Sequence, residues 1–293
     1  MLTIENSQLK VEINELGAQI THVIDKSSNF DCIWNGSEWE QHAPVLFPAV
    51  GKSNGNQCVI DGKKYSMMPN GFANDYPWTV VDKGDDRASL ILTHNDETLK
   101  YYPFKFSLMV TYLLVANQLQ VSFHLTNSSE KEMPYALGIM PTFSVPLEGE
   151  KLDFDDYELR FMPEIPDLTQ FNLDKEGLRS EESVAIAGVN NGVLPLQKAV
   201  FDYGHILINN PGLTAINLTS SKTEVEHAIT VTLEGFGGVD IWKSSETNKF
   251  LAIAPINGFP DILGKTSTWG EKLGNKNLAP DASVDFKTSI TFQ

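Results

Sequence analysis

Residues 106–125 read Phe-Ser-Leu-Met-Val-Thr-Tyr-Leu-Leu-Val-Ala-Asn-Gln-Leu-Gln-Val-Ser-Phe-His-Leu. From Leu119 onward the apolar residues Leu119, Val121, Phe123 and Leu125 alternate with Gln120, Ser122 and His124. A period of two sends successive side chains to opposite faces of a strand, so one face here is buried and the other is wet. The segment 106–115 has similar patterning, and Val115-Ala116-Asn117-Gln118-Leu119 lies between the two as a tight turn. Two long antiparallel strands are predicted.

The same pattern extends outward in both directions. Leu9-Lys10-Val11-Glu12-Ile13 alternates, as do segments around 89–93, 205–209, 213–218, 228–233, 249–254 and 284–292. Val59-Ile60-Asp61-Gly62-Lys63-Lys64-Tyr65 reads as a hairpin, because Asp-Gly supplies the positive φ angles a two-residue turn needs. Gly235-Phe236-Gly237-Gly238 reads as a turn between strands. Helical periodicity is confined to short pieces near 41–47 and 95–101, and residues 146–185, with Pro146, Pro163 and Pro166 among acidic residues, read as an irregular surface excursion. Many short strands with few helices predict an all-β fold, a large and mostly antiparallel sandwich. No fixed-period repeat and no linker is visible, so residues 1–293 are expected to form one domain.

Composition narrows the function. Hydrophobic residues make up 41% and charged residues 20%, which suits a globular core. With 22 basic and 38 acidic residues the formal charge is −16, and such a surface repels nucleic acid. Arg87, Arg160 and Arg179 are the only arginines, which disfavours sugar-phosphate and nucleotide ligands. Cys32 and Cys58 are the only cysteines, there is no basic start followed by an apolar run, and no stretch of about 20 apolar residues occurs. A cytoplasmic protein without a membrane span is expected.

No Gly-rich phosphate loop, Cys-x-x-Cys, His-Glu-x-x-His or Gly-x-Ser-x-Gly is present. His22, His124 and His205 fall in strand-like segments, and no histidine pair has metal-ligand spacing. No cofactor and no metal is expected. From the residues alone this is an all-β protein suited to a small neutral ligand.

Several segments, in order along nearly the whole chain, resemble the aldose 1-epimerase (galactose mutarotase) family in its bacterial mutarotase-related branch. They are Leu16-Gly17-Ala18-Gln19-Ile20, Ala43-Pro44-Val45-Leu46-Phe47-Pro48-Ala49-Val50-Gly51, Met68-Pro69-Asn70-Gly71-Phe72-Ala73, Gly138-Ile139-Met140-Pro141-Thr142-Phe143 and Ile253-Ala254-Pro255-Ile256-Asn257-Gly258-Phe259-Pro260-Asp261. The resemblance implies a galactose mutarotase-like super-β-sandwich with a sugar in an open cleft. It also implies anomer exchange: one histidine protonates the ring oxygen, a glutamate takes the anomeric proton, and the ring opens and recloses.

The residue-by-residue comparison departs from that chemistry. Asn70 stands in the first histidine's place, Met140 in the catalytic acid's and Ala254 in the base's. Asn74 replaces an arginine, Gly204 an aspartate, and Ile256 and Asn257 an aromatic pair. Losing the acid and the base should each cost on the order of 10²–10⁴ in rate. The leading expectation is a binder of a monosaccharide or oligosaccharide with weak or no turnover. Lys52, Asn70, Asn74, Met140, Trp242 and Asn257 are its candidate contacts, over an apolar floor of Met140, Ala254 and Ile256. Two alternatives stay open. One is an active aldose 1-epimerase whose proton transfer has moved to Asp75, His42, His205 or Asp261; the other is a non-enzymatic regulatory or interaction module. Oligomeric state is not legible.

Overall fold

The computed structural model describes residues 1–147, 151–197, 201, 204–220, 222 and 227–293. Among them the strands form two large antiparallel sheets of nine and eight strands, a four-stranded N-terminal sheet and two short ribbons. The opening stretch lies inside the nine-stranded sheet as Phe106–Val115 and Gln118–Asn127. Val115 pairs with Gln118 across a two-residue turn in which Ala116 takes a φ of 54°. Leu119, Val121, Phe123 and Leu125 are fully buried, and each contributes about 1.5–3 kcal/mol relative to an exposed side chain. Tyr112 donates its hydroxyl to the Ala18 carbonyl at 2.6 Å and so ties this sheet to the N-terminal one. The predicted hairpin forms between Gln57–Ile60 and Lys63–Ser66, with Asp61 and Gly62 both at positive φ.

The eight-stranded sheet positions the site. Its order runs Arg179–Ala185, Thr169–Leu173, His205–Asn209, Gly238–Trp242, Phe250–Asn257, Leu137–Ile139, Val45–Leu46, with Thr142–Ser144 also paired to Phe250–Asn257. Alternation divides each central strand between two environments. Ile206, Ile208, Val239, Ile241, Leu251 and Ile253 join the main core. Leu207, Ala252, Ala254 and Ile256 join a separate cluster with Met140, Leu173 and Phe259, against which Trp39 and Trp242 pack. That second cluster underlies a cleft.

Two sequence expectations fail here. The piece near 41–47 is not helical: Val45–Leu46 is a strand paired with Leu137–Ile139. Pro44 and Pro48 flank it, and a residue preceding proline is driven away from the helical region. The other short piece does contain one helical turn, Thr98–Tyr101, with Asn95 Oδ1 accepting from the Glu97 and Thr98 amides. Residues 146–185 are not irregular throughout, for they contain Glu158–Met162, Thr169–Leu173 and Arg179–Ala185, although residues 148–150 lie outside those described. Arg179–Ala185 is an edge strand exposed along most of its length, so it has no apolar face to alternate.

Candidate functional site

Cross-strand geometry brings His205 and Asp240 together. His205 pairs with Trp242 and Leu207 pairs with Asp240, so His205 and Asp240 are diagonal neighbours on one sheet face. His205 Nδ1 lies 3.0 Å from each carboxylate oxygen of Asp240. Both line a cleft of about 550 Å³. Burial pushes the imidazole's pKa down, but the charge and hydrogen bond of Asp240 outweigh it and lift the pKa above its ordinary value. The carboxylate fixes Nδ1 as the donor. Nε2 is left without a protein hydrogen-bond partner among the described residues. An imidazole anchored at one nitrogen and open at the other is the arrangement a general acid or base requires.

The walls of the cleft differ in character. Trp39 and Trp242 meet edge to face with ring centroids 5.0 Å apart, and the His205 ring lies 6.1 Å from Trp242. Lys52 and Glu176 also line the cleft, with Lys52 Nζ 3.9 Å from Glu176 Oε2. Met140, Leu173 and Leu207 add apolar surface. A shallow pocket with aromatic faces and a few convergent polar groups suits a small hydroxylated ligand.

The family model described as aldose 1-epimerase matches residues 1–259 of the chain. The chain belongs to the aldose 1-epimerase family. It is 26% identical over 271 residues to the chromosomal protein LacX of Lactococcus lactis subsp. lactis, with 89% of each chain covered. A galactose mutarotase-like protein from Lactobacillus casei ATCC 334 superposes with a TM-score of 0.94 at 35% identity, covering 100% of both chains. A galactose mutarotase related enzyme from Lactobacillus acidophilus superposes with a TM-score of 0.92 at 25% identity, covering 100% of this chain and 97% of that one.

Within this aldose 1-epimerase fold the predicted contacts divide. Lys52, Asn70, Met140 and Trp242 line the cleft, and Met140 is 8% exposed. Asn70 has a φ of 64°; its Oδ1 accepts from the Gly51 amide at 2.8 Å while its own amide donates to the Gly51 carbonyl at 3.1 Å. Its side chain therefore serves the backbone first. Asn74 and Asn257 do not line the cleft. Asn74 Oδ1 accepts from Gln19 Nε2. Asn257 is buried, accepting from the Gly237 amide and donating to the Gly235 carbonyl, so it holds the glycine turn. Ala254 and Ile256 are fully buried beneath the floor and do not form its surface.

Among the proposed relocated groups, His205 alone lines the cleft. His42 Nδ1 donates to the Trp34 carbonyl at 2.8 Å, Asp75 is exposed on a short turn, and Asp261 is buried in an ion pair with Lys272. Gly204, the expected aspartate position, has a φ of 79°, and a Cβ there would lie 3.1 Å from the Lys243 carbonyl oxygen. Sequence reasoning missed Asp240, Trp39 and Glu176. Asp240 carried a signal: it is the charged residue two positions before Trp242 in an otherwise apolar strand, hence on the same face. Glu176 carried none, since acidic residues in a turn are ordinary. Among the described residues no group of three His, Cys, Asp or Glu side chains could hold a metal, and no helix is long and apolar enough to cross a membrane.

Proposed function

We propose that the cleft binds a free aldose and that the chain exchanges its anomers with His205 as the proton donor, held by Asp240. The observation that carries this reading is the His205–Asp240 pair itself, with Nδ1 3.0 Å from both carboxylate oxygens on a ring lining the cleft. In the forward direction His205 Nε2 gives its proton to the ring oxygen and the C1–O5 bond breaks. The anomeric hydroxyl proton passes to a base, either water or Glu176, the other carboxylate lining the cleft. The open-chain aldehyde rotates about C1–C2, and the same transfers in reverse close the ring on the other face. Trp39 and Trp242 offer stacking surfaces for the apolar face of a sugar, and Lys52 offers a donor to its hydroxyls.

On this reading Asn70, Met140 and Ala254 stand at the family's catalytic positions, and the carboxylate one strand away orients His205 and does not take the anomeric proton. Asp240 is the register partner of Ala254. The test is polarimetry of freshly dissolved α-D-galactose and α-D-glucose. The unsubstituted chain should accelerate the change above buffer, and His205→Asn should lose about 100-fold or more of that acceleration. A rate equal to buffer defeats turnover. It would leave the second reading, sugar binding without catalysis, which the apolar floor at Met140 and Leu207 favours.

A further inference from the structure

Behind the cleft lies a charge pair that the proposed chemistry does not use. Lys272 Nζ is 3.5 Å from Asp261 Oδ1, with side chains only 2% and 3% exposed. Lys272 also donates to Ser53 Oγ at 3.1 Å and sits 4.9 Å from the centre of the Trp269 ring. Asp261 Oδ2 accepts the Asn54 amide at 3.0 Å, its own amide donates to the Lys52 carbonyl at 2.8 Å, and its carbonyl accepts the Arg179 amide at 2.9 Å. Arg179 Nε donates in turn to the Pro260 carbonyl at 3.1 Å.

These contacts converge on the cleft. Residues 52–54 follow Gly51 and carry Lys52; Arg179 closes the turn that carries Glu176; Pro260 lines the cleft directly. A buried ion pair contributes little net stability, because desolvation offsets its attraction, and an apolar pair of the same volume packs as well. What an apolar pair cannot supply is the two directed side-chain bonds to the 52–54 loop, from the Asn54 amide to Asp261 Oδ2 and from Lys272 Nζ to Ser53 Oγ; the bonds to Lys52 and Arg179 run through the Asp261 backbone.

We propose that Asp261 and Lys272 are positioning residues that hold the 52–54 loop, and with it Lys52, against the cleft facing Glu176, and so set its affinity for ligand. This rests on the reading of the cleft as a sugar site. Lys272→Met alone would strand Asp261 as a buried unpaired charge. The informative variant is therefore Asp261→Asn/Lys272→Met, which is neutral and keeps an acceptor for the Asn54 amide. Ser53→Ala removes only the Lys272 contact to the loop and is the milder second variant.

Galactose and glucose binding is measured by calorimetry well below Tm, in the unsubstituted and Lys52→Met backgrounds. Lys52 acylation by an N-hydroxysuccinimide ester is followed by mass spectrometry as a readout that needs no sugar. The double variant should stay folded, bind sugar about tenfold more weakly and acylate Lys52 faster. It should cost nothing further once Lys52 is Met, and Ser53→Ala should move the same readouts in the same direction by less. A lowered Tm with unchanged affinity and unchanged Lys52 reactivity would reduce the pair to a structural role and overturn the proposal. Additive losses with Lys52→Met would overturn it as well. If the unsubstituted chain binds neither sugar, the reading of the cleft fails, and an unchanged Lys52 acylation rate would separately sink the positioning role.

Discussion

Asp240, on the strand Gly238–Trp242, stands directly opposite Ala254 on the strand Phe250–Asn257. Residues so paired have Cβ atoms about 4.5–5.5 Å apart, so the face holds one carboxylate at 240 and a methyl group at 254. Ala254 is fully buried, so a charge placed there would be cut off from water. Ala254→Glu should therefore destabilise the fold by about 3 kcal/mol or more, through burial of a charge beside one of the same sign. It should not raise the rate of anomer exchange. Asp240→Ala/Ala254→Glu should recover part of the lost stability, since the like-charge contact is gone. Denaturant unfolding of the unsubstituted chain and the two variants checks the order, and equal stability of the single and double variants would refute it.

His205 should titrate above the ordinary histidine value of about 6.5. Because its folded pKa is raised, the stabilisation from its pairing is fully present below that ordinary value and is lost as pH rises through the folded pKa. Asp240→Asn removes the charge and leaves burial, which lowers the imidazole pKa, so the value should fall below the ordinary one. Histidine ring resonances followed by NMR across pH 5–9 would show both movements.

Gly71 is required by the backbone. Its φ is 76°, and a Cβ would sit 2.1 Å from the Phe47 carbonyl oxygen. Gly71→Ala should cost at least about 2 kcal/mol and lower Tm by roughly 5 °C or more. The loss should extend to the cleft, because Asn70 precedes it and bonds Gly51 at the rim. A thermal melt matching the unsubstituted chain would show that the turn relaxes.

Cys58 should be inert in the folded chain. Burial pushes its thiol up to about 12, and the side chain is 1% exposed. Iodoacetamide at pH 8 should leave it unmodified until denaturant is added. Labelling of the native chain at the rate of the unfolded one would contradict the packing around it.

Most of the architecture was legible because alternation and turn chemistry are local. The strand containing Leu119–Leu125, the Asp61-Gly62 turn and the short helix near Thr98 all follow from a few neighbouring residues. Arg179–Ala185 was not legible, because an exposed edge strand needs no apolar face. The site was half legible. Lys52, Asn70 and Met140 were named from positions in or beside family-like segments and Trp242 as a ring able to stack on a sugar, and all four line the cleft. Asn74 and Asn257 were named by the same resemblance, yet their side-chain oxygens accept from Gln19 and from the Gly237 amide, and neither lines the cleft. The His205–Asp240 contact depends on register between strands separated by 28 residues, from Asn209 to Gly238, and no local pattern encodes that register.

The alternation that divides the central strands between the main core and the cleft floor has an evolutionary corollary. Each position lining the cleft on these strands, such as 205, 207 or 240, has chain neighbours that anchor the sheet from its other side. Ligand chemistry can thus drift one position at a time while the anchors stay under separate selection. The sheet becomes a rewritable surface, and a library confined to the cleft-facing positions would sample new specificities without asking the fold to be rediscovered.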